Sequence, residues 1–186
     1  PRVLVGDLEG GYDPSRVKVS ANGEVAVITS DGALQVWNLE EGRLAFPPLA
    51  LPGCSEQMAV SVSVAASLLA TSCDSSEITL YSLTTGQRDG ILTRDDTVII
   101  NRLVFSHDGS TLIVQLRDQQ IEIWDMLSRA QTTDSIRIPT GLATDIAVSL
   151  GGEMLAVALN DGTTRLYNLR AVSELAQHSL FPQPDG

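Results

Sequence analysis

One pattern of turn, strand and aromatic residue occurs four times along the 186-residue chain at a nearly constant spacing. Each copy opens with an aspartate in a short turn, continues as an alternating strand and ends in an aromatic residue. The aspartates are Asp31, Asp74, Asp118 and Asp161, and the aromatic residues are Trp37, Tyr81, Trp124 and Tyr167. Both sets are spaced 43 or 44 residues apart, so one unit of structure is repeated over nearly the whole chain.

Alternating strands joined by short turns fill each copy, and the third copy shows them most clearly. Its segments NRLVFS, STLIVQL and IEIWDM alternate in side-chain character, as a strand with two different faces requires. Asn-Gly or Asp-Gly pairs, which suit tight hairpins, occupy several of the turns along the chain. We therefore predict an all-β chain of antiparallel meanders, with no convincing helix.

A fourth strand is expected in the stretches between copies. Residues 43–51 (RLAFPPLAL) and 129–138 (RAQTTDSIRI) are the clearest examples. Pro47 and Pro48 fit an outer edge strand better than a central one, because proline cannot donate a ladder hydrogen bond. We interpret residues 1–5 (PRVLV) as an outer strand left over from a preceding unit.

The period and the aromatic ending resemble those of the WD40-repeat β-propeller family. The family's Trp-Asp pair occurs once, as Trp124-Asp125, and the other copies read Trp37-Asn38, Tyr81-Ser82 and Tyr167-Asn168. The resemblance implies β-propeller blades, each a four-stranded antiparallel sheet, in a single segment spanning residues 1–186. The WD40-like repeats cover approximately residues 10–43, 53–87, 95–129 and 139–172, and residues 173–186 form a closing strand or tail.

Four blades are few for this family, in which rings mostly have seven or eight. Three arrangements remain open. The chain is half or part of a ring completed elsewhere in a longer polypeptide, two copies form a 4+4 dimeric ring, or the four blades close alone. The chain begins without Met, which favours an excerpt or a processed piece.

The chain departs from the family at one structural position. In strong WD40 copies the repeat aspartate bonds the histidine of a Gly-His pair. Here the corresponding pairs are Glu9-Gly10, Pro52-Gly53, Asp95-Asp96 and Ile138-Pro139, and none keeps the histidine. We therefore expect the repeat aspartates to cap their own turns through local backbone bonds.

The net negative charge of the chain limits the kinds of partner that it can bind. Twelve basic residues stand against 23 acidic ones, giving a net charge of −11, which argues against a nucleic-acid backbone or an anionic membrane as partner. A run of about 18 apolar residues, which a membrane span needs, is not found. No secretion leader can be identified either, and we expect a cytoplasmic protein.

No catalytic, metal or cofactor site can be identified from the residues. The chain has no phosphate-binding Gly-Lys loop and no nucleophile elbow. His107 and His178 lie far apart, and we interpret His107 as an exposed turn residue. The innermost strand of each copy is mostly apolar or small, so we predict no catalytic residue, no metal, no cofactor and no enzyme activity.

The two cysteines, Cys54 and Cys73, lie near strand ends that antiparallel pairing brings to the same side. A disulfide is geometrically conceivable and needs Cα atoms within about 7 Å. Two free thiols in a reducing compartment are the preferred interpretation.

One loop region stands out as a candidate contact surface. The segment TRDDTV (residues 93–98) concentrates charge between two copies, and family propellers usually hold partners at the end of the ring where such loops and the turn at residues 117–120 lie. We predict a partner-binding loop at Arg94, Asp95, Asp96, Arg117 and Asp118, because arginine is enriched at binding hot spots.

Three functions are compatible with these observations. The leading hypothesis is a non-catalytic protein–protein interaction scaffold, or a regulatory or sensor segment of a larger protein, whose partner is a protein or peptide. The alternative is a structural half-ring that completes a propeller as a homodimer, with another chain or with the rest of its parent chain. An enzyme acting at a central channel ranks third.

Overall fold

The computed structural model describes residues 16–20, 22–30, 33–51, 54, 58–73, 76–94, 97–138, 141–169 and 173–179. The chain divides into two compact units, Pro1–Ile100 and Asn101–Gly186. Each unit holds two small antiparallel sheets, and the described residues contain no helix.

The first unit contains a five-stranded and a four-stranded sheet. The five-stranded sheet has the order β1-β2-β3-β4, with β5 also paired to β3. Its strands are β1 (Arg16–Val19), β2 (Val25–Ser30), β3 (Ala33–Asn38), β4 (Arg43–Leu44) and β5 (Leu49–Ala50). The second sheet runs in chain order through β6 (Ala59–Ser63), β7 (Leu68–Ser72), β8 (Ile78–Ser82) and β9 (Arg88–Leu92).

The second unit contains two four-stranded sheets, each with its strands in chain order. The third sheet of the chain consists of β10 (Ile100–Phe105), β11 (Thr111–Leu116), β12 (Gln120–Asp125) and β13 (Ala130–Arg137). The fourth consists of β14 (Ala143–Val148), β15 (Met154–Leu159), β16 (Thr163–Asn168) and β17 (Ser173–Ser179). The prediction of an all-β fold built from propeller-type blades is confirmed.

The outer strand of the first sheet differs from the prediction of four unbroken strands. It is split into β4, which pairs with the end of β3 at Trp37 and Asn38, and β5, which pairs with its start at Ala33 and Leu34. The break falls around Pro47 and Pro48, because proline has no N–H to donate and fixes its own φ. Phe46, next to the break, turns into the core of the unit.

The outer strands of the other sheets are irregular at the equivalent place. Their pairing with the third strand shifts register at or next to the repeat aromatic residue. The shifts fall between Leu80 and Tyr81, between Glu122 and Trp124, and between Leu166 and Tyr167. In the third sheet the hydroxyl of Thr132 donates to the carbonyl oxygen of Ile123 at 3.0 Å, which satisfies a backbone acceptor at the bulge.

Within each unit, one apolar core joins the two sheets. In the first unit Val27, Leu34 and Val36 pack with Val60 and Leu69 of the second sheet. In the second unit the buried cluster joins apolar residues of the third and fourth sheets, namely Ile113, Ile121, Ile123, Ile136, Ile138, Ile146, Leu155, Val157, Leu159 and Tyr167. Each sheet thus buries one face against its neighbour, as a single blade cannot do alone.

A serine at an exact repeat position closes the first turn of each sheet. Ser20, Ser63, Ser106 and Ser149 are spaced 43 residues apart. In three copies the serine Oγ accepts a hydrogen bond from the backbone N–H five residues later, at 3.0–3.1 Å. Ser63 instead accepts from the N–H of Ala66, three residues later, at 3.2 Å. The second copy (VSVAAS, residues 62–67) thus keeps the serine but uses it to hold a different backbone N–H of the turn.

The interpretation of the two cysteines as free thiols is wrong. Cys54 and Cys73 form a disulfide, with their Cα atoms 4.7 Å apart. Cys54 precedes β6 and Cys73 follows β7, and these neighbouring antiparallel strands pair Ala59 with Ser72. Because that pairing brings the two strand ends together, the cysteines meet beside the core of the first unit.

Candidate functional site

Two of the repeat aromatic residues are tryptophans that bond a side chain two residues earlier on the same strand. The indole N–H of Trp37 donates to Oε1 of Gln35 at 3.1 Å. The indole N–H of Trp124 donates to Oε2 of Glu122 at the same distance, and both of these side chains are buried. In an antiparallel strand residues i and i+2 share a face, so the bond locks the aromatic ring against its own sheet.

The residue after the aromatic one caps the turn that follows. The backbone N–H of Glu41 donates to Oδ1 of Asn38 at 2.9 Å, and that of Ser128 donates to Oδ1 of Asp125 at 2.7 Å. The Ser82 hydroxyl accepts from the backbone N–H of Thr84 at 3.2 Å. The second member of the Trp-Asp pair therefore needs only a side-chain oxygen acceptor, which explains why Asn and Ser replace Asp in other copies.

The repeat aspartates that the structure describes cap the turn between the second and third strands. Oδ1 of Asp118 accepts from the backbone N–H of Gln120 at 3.2 Å, and Oδ1 of Asp161 accepts from that of Thr163 at 2.9 Å. The Thr163 hydroxyl also donates to Asp161, and these bonds hold the pKa of Asp161 below its usual value. Asp118 and Asp161 thus cap their own turns, as we expected because the chain lacks the histidine that the repeat aspartate bonds in strong WD40 copies. Asp31 and Asp74 lie outside the described residues.

The predicted partner-binding loop is divided between the two units. Arg94, in the first unit, is only 7% exposed, and its Nη1 donates to the carbonyl oxygen of Val98 at 2.7 Å, so its guanidinium is bonded to the backbone of its own segment. Asp95 and Asp96 lie outside the described residues. The binding role of this loop stays a prediction.

Arg117 and Asp118 lie in the second unit, in the turn between β11 and β12. Arg117 is exposed. The next residue after this pair, Gln119, has a φ of 73° and accepts a hydrogen bond from the backbone N–H of Ala143 through its side-chain oxygen. This bond at 3.2 Å ties the turn of the third sheet to the first strand of the fourth. The Arg117 side chain is therefore displayed from a fixed turn.

Sequence reasoning missed a charged pair on the first strands of the third and fourth sheets. Nη1 of Arg102 lies 2.6 Å from Oδ1 of Asp145, and Nη2 donates to the carbonyl oxygen of Thr144 at 2.9 Å. The two charged residues are 43 apart and so occupy the same position in consecutive copies. Opposite charges at one repeat position were the signal that could have revealed this link. Because Asp145 is mostly exposed, the pair adds little stability and mainly fixes alignment.

Neither a metal-binding group nor a membrane-spanning helix is found in the part of the chain that the structure describes. Within it, no three His, Cys, Asp or Glu residues are grouped so that they could hold a metal ion. The same residues include no helix that could span a membrane.

No family model matches the chain, and no curated protein matches it either.

Proposed function

We propose that the chain is a segment of a WD40-type propeller that acts as a non-catalytic module holding a protein or peptide partner. Its 43-residue period, its four blade-type sheets and its capped turns support this proposal. In this role the sheets serve as a frame, and the turns at their ends carry the side chains that meet the partner.

The observation that carries the proposal is the fixation of the turns by side-chain hydrogen bonds. Asp118 and Gln119 hold one end of the third sheet, while Ser106 and Asp125 hold the turns at the other end. A surface that is already ordered loses little conformational entropy on binding, so more of the contact energy appears as affinity.

The charge of the chain narrows the class of partner. The net charge of −11 repels phosphate backbones and anionic lipid headgroups, and it favours a protein surface that carries basic residues. Exposed Arg117 supplies a hydrogen-bond donor at one end of the third sheet.

The proposal is tested by capture followed by titration. Proteins retained by the immobilised chain from an extract of its source cells are purified and titrated into it by calorimetry. We expect saturable 1:1 binding that becomes at least tenfold weaker with Arg117→Ala. Arg137→Ala, which removes another exposed arginine on the outer strand β13, is the matched control and should bind as the wild type does. If no retained protein binds saturably, the proposal is wrong.

Self-association is a second candidate, favoured by one observation on β1. Val17 is 58% exposed and Val19 57% exposed on the same face of this strand. Pairing of this face with a second copy would bury both side chains. Light scattering on a sizing column distinguishes the two states, because a monomer has a mass of 19.8 kDa and a dimer twice that.

A cytoplasmic location stays part of the proposal, and the disulfide supplies its test. Disulfides persist mainly in oxidising compartments. Thiol labelling of Cys54 and Cys73 in intact source cells should therefore find both reduced if the protein resides in the cytoplasm. A fully bridged population would place it elsewhere.

A further inference from the structure

The sheets of both units pack in the same direction along the chain. In the first unit Val36 of the first sheet lies in one apolar core with Val60 of the second. In the second unit Ile123 of the third sheet lies in one apolar core with Ile146 of the fourth. Val36 and Ile123 each stand one residue before the repeat tryptophan, and Val60 and Ile146 each stand three residues before the turn serine. We call the face with the first position the forward face and the face with the second position the rear face.

The rear position has the same chemistry in all four sheets but not the same exposure. Its residues are Val17, Val60, Leu103 and Ile146. Val60, Leu103 and Ile146 are only 7%, 3% and 6% exposed, whereas Val17 is 58% exposed. Val19 lies two residues further on the same side of β1 and is 57% exposed. The rear face of the first sheet is therefore open to solvent along β1.

The forward position shows the same contrast in the fourth sheet. The residues that precede the repeat aromatic residues are Val36, Leu80, Ile123 and Leu166. The first three are at most 5% exposed, whereas Leu166 is only partly buried. Ala156, which pairs with Leu166, is also only partly buried, although the equivalent Ala70 of the second sheet is fully buried. The forward face of the fourth sheet is therefore open as well.

The two open faces are of the kinds that fit each other, because a forward face meets a rear face inside each unit. A second copy of the chain carries both kinds, so the fourth sheet of each copy can cover the first sheet of the other. Contact between two β1 strands alone would bury Val17 and Val19 but would leave Leu166 and Ala156 open to water. Pairing of unlike faces thus buries more apolar surface, which favours it.

We propose that two copies of the chain associate by this pairing of unlike faces, with Leu166 of one copy against Val17 of the other. The contact repeats the one between forward and rear faces inside each unit. The inference rests on self-association, the second candidate function, and names the sheets that take part. Each copy provides one forward face and one rear face, so the assembly closes as a dimer.

Sedimentation velocity of the full chain across a wide range of concentrations measures the association. We expect a reversible dimer with twice the chain mass of 19.8 kDa. Val17→Lys and Leu166→Glu each put a charge on one of the two faces, and each should weaken the dimer at least tenfold. Leu127→Glu is the matched control, because Leu127 is 96% exposed and lies in the turn between β12 and β13. This variant should dimerise as the wild type does.

A second variant of the forward face separates association from folding, because Leu166 is partly buried. Ala147 is exposed and pairs with Ala156 on the forward face of the fourth sheet. Ala147→Glu adds the same charge at a side chain that solvent already reaches. It too should weaken the dimer.

Mixing Val17→Lys with Leu166→Glu distinguishes unlike faces from like faces. In the mixed dimer one contact keeps both wild-type residues and the other places Lys beside Glu, so the association should return close to the wild-type strength. A chain that stays monomeric at every concentration would overturn the proposal. A dimer that Leu166→Glu and Ala147→Glu leave unchanged would also overturn it, while self-association through β1 would stand. None of these results affects the Arg117 test of the proposed function, so the failures are distinguishable.

Discussion

The indole N–H of Trp124 donates to Oε2 of Glu122 at 3.1 Å, and both side chains are buried within the third sheet. Glu122 is only 4% exposed, so its carboxylate depends on hydrogen bonds from the protein in place of water. The bond joins the repeat aromatic residue to the strand position two residues before it. The same relationship holds between Trp37 and Gln35, where the acceptor is a neutral amide.

We predict that Trp124→Phe lowers the free energy of unfolding by roughly 3 kcal/mol, because it removes a donor from a buried carboxylate as well as ring volume. A double-mutant cycle with Glu122→Gln, which keeps an amide oxygen as acceptor, isolates what the carboxylate charge adds to the bond. In the background of the Glu122→Gln variant, the same change at Trp124 should cost about 1 kcal/mol less. Urea denaturation of the four proteins measures this coupling, and a coupling near zero would show that the carboxylate charge adds nothing to the bond.

A second prediction concerns Gly86, whose φ is +70° and which packs against Phe46. A Cβ at this position would lie 2.6 Å from Cδ2 of Phe46. Gly86→Ala should therefore lower the free energy of unfolding by roughly 2–3 kcal/mol, combining backbone strain with overpacking. Gly23→Ala is the control, because Gly23 has a φ of +75° and no atom within 4 Å of the added Cβ. It should cost about 1 kcal/mol, and equal costs would argue against the Phe46 contact.

The disulfide between Cys54 and Cys73 closes a loop with a sequence separation of 19. Reduction should lower the free energy of unfolding by about 3 kcal/mol, because the unfolded chain regains loop entropy. The Cys54→Ser and Cys73→Ser double variant should be insensitive to reductant. Alkylation of the denatured chain should label no cysteine before reduction and both after it. Labelling of both cysteines in the purified, air-oxidised chain before reduction would contradict the bridge.

The carboxyl group of Asp108 makes the stability of the fold depend on pH. Its pKa is lowered in the folded chain, mainly by the hydroxyl of Ser106 and then by Ser110, from an ordinary value of 3.8. A lowered folded pKa contributes stability that is complete well above 3.8 and is lost as the pH falls through the folded value. At pH 7 the free energy of unfolding of the wild type should exceed that of Asp108→Asn by about 0.5 kcal/mol. This small figure takes account of solvent screening at an exposed carboxylate. The difference should shrink as the pH falls below 3.8. A difference that grows on acidification would reverse the assigned sign.

Sequence patterns identified the strands well, because alternation and turn residues are local properties. The period of Trp37, Tyr81, Trp124 and Tyr167 placed the third strand of every sheet. Pro47 and Pro48 signalled the split between β4 and β5. The position of each half is fixed by the β3 residues with which it pairs, and the sequence does not show which these are.

Contacts between residues distant in sequence, whether within one copy or between two, could not be predicted from local patterns. The fit of Phe46 against Gly86, the Arg102–Asp145 pair and the Cys54–Cys73 bridge each join residues brought together only by the packing of sheets or strands. Repeat alignment would have found the charged pair, since its members share one repeat position.

The most direct test of the central claim, a rigid module that presents fixed turns to a partner, is NMR relaxation of the backbone amides of the free chain. The amides of residues 106–110, 117–120 and 149–153 belong to the turns that side chains hold in the second unit. We predict order parameters of about 0.85 for these amides, equal to those of the strands. Values below about 0.6 would show that the turns are mobile without a partner, and the account of a preformed binding surface would be contradicted.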